Sequence, residues 1–238
     1  MSVEEPDYQI QRPEIVAKRA LALAACCCRG FIDEGKGNPD AESVRERMIQ
    51  WIEKFKLKEQ LGPFEWDSIR SPLGGLESVV AKRMSWEAEG LAVLAWALQL
   101  GQLPMHDDQV DPYAVTDSVF FLGDEAGNVV ANASLRESEQ LLAYREMMYA
   151  IHCRIRYFFR NGEKKDFTSW IEPEWLTVLK VDSRRLVVDG DLGFEGKPMS
   201  AVEPGRLRTF EWGINAQHRA SVWLIGEEEK HWETPADT

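Results

Sequence analysis

Apolar residues recur at helical spacing along most of this chain. Pro13 suits the first turn of a helix, and the run behind it predicts a helix to about Ile32. The loop DEGKGNPD, residues 33–40, breaks it. Val44, Met48, Trp51, Ile52 and Phe55 stand three and four apart, predicting a helix over Ala41–Leu61 that Gly62-Pro63 stops. Residues 64–83 read as short helical pieces broken by Pro72 and Gly74-Gly75. Ser85 is expected to cap a helix that is apolar almost all round and therefore central, ending near Gly101. Residues 105–133 read as loop-rich with a short strand at Val119–Leu122. Ser134, with Glu137 three residues on, has the capping-box pattern and opens a long helix to about Arg160. Residues 186–199 alternate apolar and turn residues, which predicts a small hairpin. Pro204 opens a last long helix to Ile225-Gly226. The expected fold class is mainly α: a multi-helix single domain over residues 1–238 with one small β-hairpin near residues 186–199. Residues 1–11 and 227–238 are expected as extended tails.

Composition narrows the function classes. Of 238 residues, 44% are hydrophobic and 29% charged, which supports a folded core rather than a disordered chain. Nine tryptophans imply an aromatic core or rings reserved for a partner. The net charge of −12 repels phosphate backbones and anionic membranes and favours a basic protein partner or a cationic ligand. The longest strongly apolar run, residues 91–100, falls far short of the ~20 residues of a membrane span. The start, MSVEEPDYQIQRP, has no signal-peptide core. A cytoplasmic protein with four reduced cysteines is expected, binding neither nucleic acid nor membrane.

Cys26, Cys27 and Cys28 advertise chemistry most loudly. On a regular helix three neighbours fan over roughly 200°, so they cannot grip one metal together. Val16, Ala20, Leu23, Ala24, Cys27 and Phe31 share an apolar arc with Cys28 on its flank, while Lys18, Arg19 and Arg29 mark a polar strip. Cys26 falls on that strip, where two cations would lower its pKa. Cys27 and Cys28 are expected buried as small hydrophobes.

Polar residues on apolar faces are quieter candidates. Glu89 projects between Trp86, Val93, Trp96 and Leu100, and a carboxylate there needs a partner. Either an arginine such as Arg19 or Arg70 pairs it, or it is an acid–base group with a raised pKa. Glu211, Asn215 and His218, at i, i+4 and i+7, line one groove of the last helix. A pocket joining these to Glu89 would give Glu89, His218 and Glu211 as candidate catalytic residues and Arg19, Asn215 and Trp86 as candidate ligand-binding residues. His106, Asp107 and Asp108 are weak candidates for a metal, and a solvated acidic loop is the leading reading. No metal site and no cofactor is expected. His152 reads as structural, and His231-Trp232 as a tail segment that docks on the body or offers a partner strip. P-loop, GxGxxG, HExxH, paired CxxC and GxSxG patterns are absent, which disfavours the common nucleotide and hydrolase routes.

Four stretches together carry a family resemblance: RPEIVAKRALALA at 12–24, SWEAEGLAVLAWAL at 85–98, DLGFEGKPM at 191–199 and HRASVWLIG at 218–226, with Trp232 and a closing Asp237-Thr238. They resemble a bacterial family, domain of unknown function 4272, over almost the whole chain. Its pattern includes Arg19, Trp86, Glu89, Trp96, His218 and Trp223. These are helix-core positions, so the resemblance implies no activity and transfers no catalytic residue. The family has small apolar residues at the cysteine triplet, which counts against thiol chemistry. Two functions are carried forward. The first is a non-enzymatic binding or regulatory protein holding a protein partner on an acidic surface. The alternative is an enzyme using a buried Glu/His pocket for acid–base chemistry on a small molecule.

Overall fold

A computed structural model describes residues 8–35, 39–226 and 230–234. The order is α1 (Pro13–Glu34), α2 (Ala41–Lys54), a 3-10 turn at Leu57–Gln60, α3 (Pro63–Arg70), α4 (Ser78–Ser85), α5 (Glu87–Ala97), α6 (Pro112–Ser118) and α7 (Ala126–Ala131). Then come α8 (Ser138–Asn161), α9 (Pro173–Leu179), α10 (Ser183–Leu186), β1 (Val187–Val188), β2 (Asp191–Phe194), β3 (Lys197–Pro198), α11 (Pro204–Leu224) and a 3-10 turn at His231–Glu233. The fold is mainly α, as the patterning predicts.

Two helices form its centre. Every residue of α5 is buried, as its all-round apolarity requires. In α1, Val16 to Gly30 is buried except for Lys18 and Cys28. α1 packs against α4 and α5, α5 against α11, and α11 against α8. Glycine sets the closest approach: a Cβ added to Gly30 would lie 2.4 Å from the Ser85 nitrogen and 2.6 Å from the Ala81 carbonyl oxygen. Buried apolar side chains from Val16 to Leu224 form one continuous cluster. Among the described residues no helix is long and apolar enough to cross a membrane.

Four local expectations are corrected. The second helix stops at Lys54 because Lys56 is left-handed, with φ 54°, and a 3-10 turn replaces the last stretch. Ser85 ends α4 rather than capping α5, and its hydroxyl donates to the Lys82 carbonyl. Val119–Leu122 is no strand: Phe120 and Leu122 have φ of 54° and 61°, which an extended chain does not allow. Ser134 does not cap α8. Instead Arg136 donates its backbone N–H to Ala97 O at 2.9 Å and its Nε–H to Trp96 O at 2.7 Å, tying this segment across the end of α5.

The predicted hairpin extends to a three-stranded antiparallel meander, in the order β1-β2-β3. Val187 faces Leu192, and Phe194 faces Lys197. Its two-residue turns, Asp189-Gly190 and Glu195-Gly196, have positive φ at both positions. That is the twist that two-residue antiparallel turns prefer.

Arginines that the helical wheel assigns to a polar strip are inside. Arg19 and Arg29 are 1% and 0% exposed. Arg29 pairs with Asp33 at 2.6 Å and donates to Ser68, Ser71 and Pro72 carbonyls at the end of α3. Arg154 of α8 grips Asp191 of β2 through two bonds of 2.8 and 2.9 Å, fixing the meander on the helical body.

The Gly30 contact makes a prediction. Alanine gains about 1 kcal/mol in helix propensity, but α4 presents backbone that cannot rotate away. Gly30→Ala should lower stability by about 2 kcal/mol or more in urea unfolding. An unchanged midpoint would contradict the α1–α4 approach.

Candidate functional site

Glu89 leaves the first turn of α5 toward α11, where Gly213 makes room: a Cβ there would lie 3.5 Å from the Glu89 carboxyl carbon. Glu89 is 2% exposed. Its Oε1 accepts from Val110 N–H at 3.0 Å and its Oε2 from Gln217 Nε2 at 2.8 Å. Neither Arg19 nor Arg70 pairs with it: Arg19 binds Glu65, and Arg70 lies over the Trp66 ring. Burial pushes the Glu89 pKa up, the two hydrogen bonds pull it down, and Asp108 adds to the rise. Two clefts open beside it. One of about 250 Å³ is lined by Glu89, Trp86, Phe31, Glu34 and Lys82, and a groove of about 430 Å³ by Leu100, Leu103, Asp108, Asp111 and Val115. They meet at Gln109 and Val110, the segment that Glu89 anchors.

His218 takes partners elsewhere. Its ring stacks on His152 of α8 at 4.5 Å and lies 6.0 Å from the Tyr149 ring. One step along α11 therefore separates Gln217, which reaches Glu89 on α5, from His218, which faces α8. Burial, His152, Arg145 and Arg156 push the His218 pKa down to about 3. Glu211 accepts from Arg208 at 2.8 Å, and Asn215 is half-buried. The expected groove of Glu89, Glu211, Asn215 and His218 is not assembled; Gln217 is the α11 side chain bonded to Glu89.

The 106–108 segment is used structurally. His106 donates from Nε2 to Gly193 O at 2.6 Å, and Arg185 donates to Asp107 at 2.8 Å and pairs with Asp108 at 2.6 Å. His106 and Asp107 are buried rather than solvated. Among the described residues no group of three metal-ligating side chains converges.

The cysteine expectation is also corrected. Cys26 is fully buried and Cys28 half-buried, the reverse of the wheel's assignment. Burial and Glu65 raise the Cys26 pKa against the opposing charge of Arg19. Burial drives Cys28 up to about 11, with Arg29 pulling it back.

Sequence reasoning missed a third cleft, of about 150 Å³, lined by Cys26, Phe64, Glu65, Glu87, Arg219 and Trp232 among others. Arg219 pairs with Glu87 at 2.5 Å. Arg19 holds Glu65 through bonds of 2.7 and 2.8 Å and donates to His231 Nδ1 at 2.9 Å. The tail thus docks through His231, buried beside Trp223, while Arg19 lies 5.6 Å from the Trp232 ring. Glu87 carried the same signal as Glu89, an acid on a helix apolar all round.

These features define a mainly α protein built on two buried helices, with polar clefts on either side of the α5 N-terminus. It belongs to the DUF4272 family, a domain of unknown function whose model matches residues 1–166. The stretches at 191–199 and 218–226 lie beyond that match. No curated protein and no solved structure matches the chain.

Two predictions follow from burial. Alkylation of the native protein, mapped by mass spectrometry, should modify Cys28 and Cys153 slowly and spare Cys26 and Cys27 until unfolding; rapid Cys26 labelling would contradict its packing. The histidines set a pH limit. Above about pH 6.5 an ordinary imidazole is neutral in both states. Below it the unfolded chain takes up a proton that folded His218 refuses until about pH 3. Stability therefore falls with pH across that window. His106 and His231, also pushed down by burial, act in the same direction. His218→Phe should flatten the fall in urea midpoint between about pH 7 and 5; an equally steep fall would assign it to other groups.

Proposed function

We propose that this is a non-enzymatic binding protein that holds a lysine or arginine side chain of a basic protein partner at Glu89. The observation that carries the reading is a buried carboxylate, bonded among the described residues to neutral donors alone, beside two open clefts. Two of a carboxylate's roughly four lone-pair sites are occupied here, leaving acceptor capacity for a charge-assisted bond. Trp86 and Phe31 offer ring faces to a cation and its methylene stem. Glu34, Asp111 and the Arg185-paired Asp108 rim the clefts, with Lys82 the one cation among the lining residues. Exposed Leu100 and Tyr113 extend the apolar part of the surface.

Net charge supports the same reading. A chain at −12 steers a basic partner in and keeps nucleic acid out. We read its compartment as the cytoplasm, where the four free thiols stay reduced. The acid–base alternative needs His218 to face Glu89, whereas the His218 ring stacks on His152 of α8, which favours the binding reading.

Glu89→Gln tests this. A raised folded-state pKa gives stability that is present below the ordinary 4.5 and lost as pH rises through the folded value. The glutamine gives up one of the two acceptor oxygens, which is a pH-independent cost, so the test is the trend: the variant's melting temperature should rise relative to wild type as pH goes from about 4.5 to 7. By fluorescence anisotropy, a labelled Lys/Arg-rich peptide should bind wild type in a salt-sensitive way and the variant at least about tenfold more weakly. An acidic peptide of equal length should not bind. Equal affinity of the basic peptide for both proteins would refute the site.

A further inference from the structure

We propose that the cleft beside Glu87 is a separate site for a small zwitterion of the α-amino-acid class. It lies where the start of α3, the α4–α5 junction, α11 and Trp232 meet, away from Val110 and Gln217. At about 150 Å³ it falls below the ~300–1,000 Å³ of sites for drug-sized ligands. A ligand of few heavy atoms is therefore the right scale.

The polar groups select the class. Glu87 is 6% exposed, and its Oε1 is taken by Arg219, but Oε2 is buried with no hydrogen-bond partner among the described residues. A buried acceptor without a donor is costly, and a ligand ammonium group relieves it. Glu65, the other acid of the cleft, is already spent on Arg19 and the Gly62 N–H. Arg83, which also lines the cleft, is exposed, meets the Phe64 ring at 5.9 Å and has no carboxylate partner among the described residues. It is the group free to take a ligand carboxylate, and the first turn of α3 adds its positive end.

The charged groups narrow the ligand further. The lining holds two acids, Glu65 and Glu87, and two arginines, Arg83 and Arg219. Arg19 offsets Glu65 and Arg219 offsets Glu87, so the cleft offers one unmatched cation, Arg83, together with the Glu87 oxygen that is unpartnered among the described residues. It suits a molecule carrying both charges, ammonium on Glu87 and carboxylate on Arg83. Phe64, Met84 and Trp232 leave an apolar wall for a side chain. As the ligand enters, Arg83 swings off the Phe64 ring to meet the carboxylate.

Thermal melting with each of the common L-amino acids at about 10 mM is the first test, followed by calorimetric titration. At least one should raise the melting temperature. Its decarboxylated amine and its deaminated acid should each bind at least about tenfold more weakly. Arg83→Gln, a surface change, should leave unliganded melting alone and weaken the amino acid at least about tenfold while sparing the amine. Glu87→Gln should abolish binding; if losing the Arg219 pair unfolds that variant, the Arg83 arm decides. No shift with any amino acid, an amine or acid that matches it, or wild-type affinity in Arg83→Gln overturns the proposal. Glu89→Gln should leave this affinity unchanged, which separates the site from the basic-partner surface.

Discussion

The fold depends on neutralising Arg19. It stands on α1, one of the two most buried helices, and is 1% exposed. An unpaired guanidinium there would cost several kcal/mol. Its donors instead reach Gln60 O at the end of the 57–60 turn, both oxygens of Glu65 on α3, and His231 of the tail. Because an arginine donates, His231 Nδ1 must accept, which puts the imidazole proton on Nε2. Burial and the two nearby arginines keep that ring neutral. One side chain thereby joins the central helix to three segments that hydrophobic packing alone would leave adjustable.

Arg29–Asp33 and Arg154–Asp191 repeat the arrangement on α1 and α8. In each pair, backbone groups take or supply further bonds: Arg29 donates to α3-end carbonyls, and Asp191 accepts from Leu192 N–H. Buried pairs of this kind give little net stability over apolar packing, but removing one partner is severe. They act as registers between elements. Against that pattern Glu89 stands apart, since its bonds come from an amide and a backbone N–H rather than a cation.

What the sequence discloses follows from what is local. Periodicity finds α1, α5, α8 and α11, and glycine turn chemistry finds the region of β1–β3. Glu89 is legible as a buried acid because its own helix is apolar all round. The rest is set by partners far along the chain. Arg19 reads as solvated on a helical wheel, and Glu65, the acid that draws it inward, lies 46 residues away. His218 and Gln217 are separated by about 100° on α11, so α5 and α8 each claim one of them. Which helix packs on which side is a tertiary fact, and it gives Glu89 the neighbour Gln217 in place of His218. The cysteines fail similarly: Cys26 shares a strip with arginines, but the strip itself is inside.

The clefts lined by Glu87 and by Glu89 have a common origin in the first turn of α5. Glu87 and Glu89 are both acids of that turn, where the helix dipole favours negative charge. Two positions apart, they leave the axis at roughly 200° to one another and so reach different neighbours. One meets Arg219 and the tail side; the other meets Val110 and Gln217. α5 is buried along its length, so it cannot roll to improve either carboxylate without disturbing α1 and α11. A rigid helix start thus holds two desolvated acids whose spare acceptor capacity the surrounding protein does not use up. Packing that would serve stability best would pair Glu89 with a cation and give the second Glu87 oxygen a donor, and that unused capacity at cleft walls is the physical reason to look for ligands there.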